Sequence, residues 1–87
     1  MYHLITLFPS DRNLQYEDLN YGINRLGRLI QIGPFCWVIR TSLSSEEICQ
    51  KLRDYIDNDE DSIFVCVFDH WQGYNISKDI RTWLDKE

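Results

Sequence analysis

Apolar and polar positions along the chain fall into seven blocks with two different periods. Residues 2–8 (YHLITLF) are a run of β-formers that ends at the turn cluster PSDRN, which predicts a strand. Over residues 14–29, Tyr16, Leu19, Ile23 and Leu26 recur at spacings of three and four, the period of an amphipathic helix, and Gly27 fits its stop. "RLIQI" and "FCWVIRT" read as two strands, with Gly33-Pro34 punctuating the hairpin between them. Ser44 and Glu47 have capping-box spacing ahead of a helical stripe of Ile48, Leu52, Tyr55 and Ile56. "DSIFVCVFD" is apolar throughout positions 63–68 and predicts a last strand. Ser77 then caps a short terminal helix that carries Ile80, Trp83 and Leu84 on one face.

The order β-α-β-β-α-β followed by a helical tail predicts an α+β chain on the split βαβ, ferredoxin-like plan. The expectation is one domain over residues 1–87: a four-stranded antiparallel sheet, two helices on one face, and a tail from residue 70 with a short helix. Side chains alternate across a strand, so Ile63, Val65 and Val67 point opposite to Phe64, Cys66 and Phe68. Two helices cover one face only, and the other is apolar as well. A second copy of the chain, packed through the sheet, is the expected cover, with the tail helix as the other candidate. The residues expected at that interface are Phe8, Phe35, Trp37, Phe64, Phe68 and Trp71.

Composition narrows this further. The 87 residues carry a formal charge of −5, which weighs against coating phosphate backbones by bulk charge. Cys36, Cys49 and Cys66 are odd in number, lack C-x-x-C spacing and sit in apolar stretches, the pattern of reduced thiols in a cytoplasmic protein. Neither a secretory leader nor an apolar run of membrane-spanning length is visible, so no membrane association is expected.

Several stretches carry a family resemblance: "LIT" in the first strand, "YEDLNYGINRLG" in the first helix, "WVIRTSLSSEEICQKLRDYID" into the second, and "IFVCVFDHWQGYNISKDIRTWL" at the end. With Trp71-Gln72-Gly73 and Trp83 as its most recognisable part, the chain resembles small SinR-like proteins related to the CRISPR-associated Cas-two family. The resemblance implies a ferredoxin-like homodimer. Some Cas-two proteins, and the distantly similar virulence-associated protein D toxins, are metal-dependent endoribonucleases. In Cas-two proteins the implicated acid is an Asp closing the first strand, and here that stretch is Leu7-Phe8.

Phe8 offers no oxygen to Mg²⁺ and Pro9 no amide hydrogen to a phosphate. The remaining catalytic candidates are Asp11, in the turn after the first strand, and the adjacent acid and imidazole Asp69-His70. Turn roles are the commoner use of both acids. His3 reads as a sheet-face residue, and no Cys/His spacing suits zinc. "DNDED" (57–61) has Asp spacing, but Ser62 stands where a calcium loop needs Gly, so it reads as a solvated acidic turn. Arg12 and Arg40 are the candidate phosphate contacts should the sheet aromatics stack bases. The expectation is a non-catalytic homodimeric interaction or regulatory module without cofactor. The alternatives are a Mg²⁺-dependent endoribonuclease and a nucleic-acid-binding scaffold.

Overall fold

The computed structural model describes residues 2–11, 13, 16–57 and 59–86. In chain order the elements are β1 (Tyr2–Phe8), α1 (Glu17–Asn24), β2 (Arg28–Gly33), β3 (Cys36–Arg40), α2 (Ser45–Leu52), a 3-10 turn (Arg53–Tyr55), β4 (Ser62–Phe68) and α3 (Lys78–Lys86). The four strands form one open sheet in the order β2-β3-β1-β4, and every neighbouring pair is antiparallel. The architecture is thus α+β, with a four-stranded antiparallel sheet and three helices. Among the described residues no helix is long and apolar enough to cross a membrane.

Strand β1 takes a central place because it is apolar on both sides. Its odd positions Ile5 and Leu7 join Trp37 and Ile39 of β3 under Leu19 and Ile23 of α1 and Ile48 and Leu52 of α2, all buried. Burying side chains of this kind contributes roughly 1.5–3 kcal/mol each, so this layer is the main source of stability. The hairpin between β2 and β3 turns through Pro34 and Phe35. The Gln31 side-chain amide caps the turn by donating to the carbonyls of Gly33 and Pro34 at 2.9 and 3.2 Å.

Helix α2 starts as its sequence specifies. The Glu47 amide donates to Ser44 Oγ and the Ser44 amide to Glu47 Oε1, both at 3.1 Å, which satisfies two of the donors that a helix start leaves over. Its regular part ends at Leu52, and the 3-10 turn carries the stripe onward so that Tyr55 and Ile56 still pack on the core. The Ser77 hydroxyl likewise accepts from the Ile80 amide at 3.2 Å, at the start of α3.

The open face is covered in cis at one end. Tyr2 stacks on Phe68 with ring centroids 5.5 Å apart, Trp83 of α3 tilts against the same ring at 6.1 Å, and the Tyr2 hydroxyl donates to the Leu84 carbonyl at 2.7 Å. Leu4, Ile32, Val38 and Phe68 of the sheet face Ile76, Ile80 and Leu84 of the tail across a cavity of about 340 Å³. The tail, rather than a second copy, therefore covers this end of the face.

Gly27 does not end α1 in the left-handed way that its position suggests. Among the described residues no glycine has a positive φ, and Arg25 continues α1 in right-handed geometry. What position 27 requires is room: a Cβ there would overlap the Arg40 carbonyl oxygen, which is backbone and cannot step aside. Gly33 has no such neighbour, its closest being the Cys36 Cβ at 3.6 Å. Gly27→Ala is expected to cost about 1–3 kcal/mol in urea unfolding, and Gly33→Ala no more than about 0.5 kcal/mol.

Candidate functional site

The acids proposed for catalysis are held far apart. Asp11 lies beyond the end of β1, exposed, with its carboxylate accepting the Asn13 amide at 2.9 Å as a turn residue does. Asp69 and His70 follow β4, with Nε2 to Oδ1 at 3.7 Å and both side chains in solvent, where such a pair is worth little. The register pairs Tyr2 with Phe68 and Phe8 with Ser62, so Asp69 sits at the start of β1 and Asp11 past its end. A strand of 7 residues separates them, roughly 20 Å at the usual rise.

Nor do the residues suit the Mg²⁺ that the resemblance implies. Leu7 is buried in the core, Phe8 follows it, and among the described residues no group of three His, Cys, Asp or Glu side chains converges on a point. Arg12 lies outside the described residues. Arg40 is exposed at the end of β3, its guanidinium 5.8 Å from the centre of the Tyr2 ring.

The six aromatic residues expected at an interface divide three ways. Trp37 is a correction: it is buried under the two helices, opposite Ile5, and has no surface to offer. Phe35 leans on that same layer, edge-on to Tyr16 at 6.1 Å. Phe68 and Trp71 are half-buried by the tail, and Arg81 of α3 lies over the Trp71 ring at 5.6 Å. Phe8 and Phe64 remain, 58% and 55% exposed. Val67, on the opposite side of β4, is 47% exposed.

Asp61 is the residue that the sequence reading misplaces. It closes the acidic stretch 57–61 but is buried, not solvated. Its Oδ1 accepts the Ser10 amide at 2.8 Å and the Tyr16 hydroxyl at 3.0 Å, and its Oδ2 accepts the Asp57 amide at 3.0 Å. One carboxylate thereby ties the β1–α1 connection to the α2–β4 connection. Burial alone would raise its pKa, but the donors from Ser10, Asp57 and Tyr16 outweigh that and hold it below the ordinary 3.8. The Tyr16 hydroxyl is pushed up, by burial first and then by its bond to Asp61. The only cue in the sequence is position: Asp61 alone of the five abuts an apolar strand.

Among the described residues His3 is the other buried polar side chain. It is 2% exposed on the helix-covered side of β1, and its Nδ1 has no hydrogen-bond partner among them. Burial holds the imidazole pKa below its usual value. A buried nitrogen without a partner costs about 1–3 kcal/mol, so its retention calls for a reason.

Comparison of the chain with protein-family models, with curated proteins and with solved structures finds no match.

The Asp61 clamp sets a pH dependence. Because its folded pKa lies below 3.8, its contribution is complete above that pH and is lost as pH falls through the folded value. Asp61→Asn keeps the shape but turns an NH₂ toward a donor. It is expected to cost about 1–3 kcal/mol in urea unfolding at pH 7 and to flatten the loss of stability in acid.

Proposed function

We propose that the chain is a small interaction module that pairs two-fold with a second copy of itself along strand β4, on the ferredoxin-like βαββαβ plan. The sheet order and the antiparallel pairing support that plan, since β3 lies between β1 and β2, and β1 between β3 and β4. The SinR-like and Cas-two resemblance of the sequence points the same way.

The observation that carries the reading is the contrast between the two edges of the sheet. Strand β2 is blunted: it begins with Arg28, ends in Gly33 and shifts register between Gln31 and Gly33. Strand β4 (SIFVCVF) has none of these devices, with no charge, proline, glycine or bulge along its 7 residues. It is paired with β1 on one side only. A long, flat, apolar edge of this kind is a template for another strand, and monomeric proteins protect against it. Phe64 and Val67 stand exposed on its two sides, where a neighbouring strand would cover them. Because β4 is uncharged, two acidic copies can meet there without like charges within the strand. A two-fold perpendicular to the sheet would keep both helix layers on one side and make an eight-stranded sheet.

Sedimentation at about 50 µM is expected to give about 21 kDa, twice the 10.5 kDa chain. Val67→Lys places the charge that natural edges use and should yield a folded monomer. A monomeric wild type, or a Val67→Lys dimer as tight as the wild type, would sink the reading. The same preparation is expected to leave unstructured RNA intact with Mg²⁺, and cleavage lost in Asp11→Ala or Asp69→Ala would return the nuclease reading.

A further inference from the structure

Alternation along the central strands sends the paired residues Leu4 and Val38 to the side of the sheet away from α1 and α2. On the other side Ile5 and Ile39 are completely sealed, whereas Leu4, though central in the sheet, is only half-buried. The space responsible lies under the tail. Ile80 and Leu84 are four positions apart on α3, and Ile76 stands four positions before them. All three line the cavity of about 340 Å³ that separates the tail from Leu4, Val38 and Phe68.

The tail is fixed at this distance from both of its ends. At one end Trp83 tilts against the Tyr2 ring, and the Tyr2 hydroxyl donates to the Leu84 carbonyl. At the other, the chain turns through Asn75 in left-handed geometry, and the Arg81 guanidinium lies over the Trp71 ring. Ile76 is folded so closely against Gly73 that a Cβ there would lie 2.8 Å from Ile76 Cδ1. Voids in native interiors rarely exceed a water molecule, and an empty one costs stability in proportion to its volume. Water is a poor filling here. It needs several polar partners, and apart from the Trp71 indole only Gln72 among the described lining residues has a polar side chain.

We propose that this cavity binds a small uncharged aromatic molecule of one or two rings. The size follows from the volume, since a dry apolar cavity of about 150 Å³ takes a benzene ring and this one is about twice as large. The absence of charge follows from the lining. Among the described lining residues none is an acid or a base, so an ion would lose its water without gaining a partner. The preference for a ring follows from Phe68 and Trp71, which can pair with another ring edge-on or offset. Ile32, Gln72 and Gly73 are the exposed lining residues and mark the mouth, where the Gln72 amide supplies a donor and an acceptor for one polar substituent. All of the lining comes from one chain, so the site does not depend on pairing along β4.

The test is titration of the full chain at neutral pH with 1-naphthol and, separately, with 1-naphthoate and 1-octanol, followed by the methyl resonances. Saturable binding of 1-naphthol is expected, with the methyls of Leu4, Val38, Ile80 and Leu84 the most shifted. Those of Ile5, Ile39 and Ile48, on the helix-covered side, should move little. The carboxylate of 1-naphthoate should weaken binding about tenfold, and the alkyl chain of 1-octanol about threefold. Ile80→Phe puts a ring of the protein's own into the space and should weaken 1-naphthol binding about tenfold, while the thermal midpoint holds or rises. Ile32→Trp, exposed at the mouth on an edge strand, should weaken it about threefold with the fold unchanged. No saturable binding of 1-naphthol, binding of 1-naphthoate or 1-octanol as tight as that of 1-naphthol, or an affinity unchanged in both variants would overturn the proposal.

Discussion

Two helices suffice to bury one face of a four-stranded sheet, and this chain has apolar side chains on both. That constraint governs the rest of the structure. The helices α1 and α2 take the face built on Ile5, Leu7, Trp37 and Ile39, leaving Tyr2, Leu4, Val38 and Phe68 to be covered by something else. The tail does this with Trp83, Ile80 and Leu84, and a single turn around Asn75, in left-handed geometry at φ 59°, helps bring it back across the sheet. A helix of 9 residues cannot reach the whole face. The part that it leaves, around Phe8 and Phe64, borders the one sheet edge that carries no protection.

Burial and polarity are balanced at two points by opposite means. Asp61 is a carboxylate in a half-dry place with three donors, so its charge is well supported and the connections on either side of it are fixed to each other. His3 is a buried imidazole whose Nδ1 lacks any such partner. The first is a completed polar cluster and serves the fold. The second has no partner among the described residues and stands as a cost that the rest of the core offsets.

Much of the fold was legible in the sequence, and the reasons are local. The Ser44–Glu47 box and the Ser77 cap specify helix starts by side chains three residues away, and both form as read. The strands announce themselves by β-branched and aromatic runs. What was hidden depends on partners distant in the chain. Asp61 looks like one more solvated acid until Ser10 and Tyr16 arrive from some 45 to 51 positions away. Gly27 looks like a helix stop, but the close approach of the Arg40 carbonyl is what excludes a side chain there. Trp37 shares its strand with Cys36 and Val38, and only the location of the helices decides which of the two sets is inside. For the candidate sites, adjacency in sequence misled: Asp69 and His70 are neighbours in the chain, yet both side chains stand in solvent and, among the described residues, nothing else converges on them.

The bond from the Tyr2 hydroxyl to the Leu84 carbonyl joins positions 82 apart, nearly the full length of the chain. Closing so long a loop contributes no contacts until the sheet is in place, so the tail docks late in folding, onto a surface that β1, β3 and β4 have already built. It follows that the start of β1 and the end of α3 are neighbours in space, and a short bridge between Tyr2 and Lys86 would allow the chain to be opened instead in an exposed turn. Such a rewired chain would order the tail before the sheet, reversing the sequence of assembly without altering the folded structure.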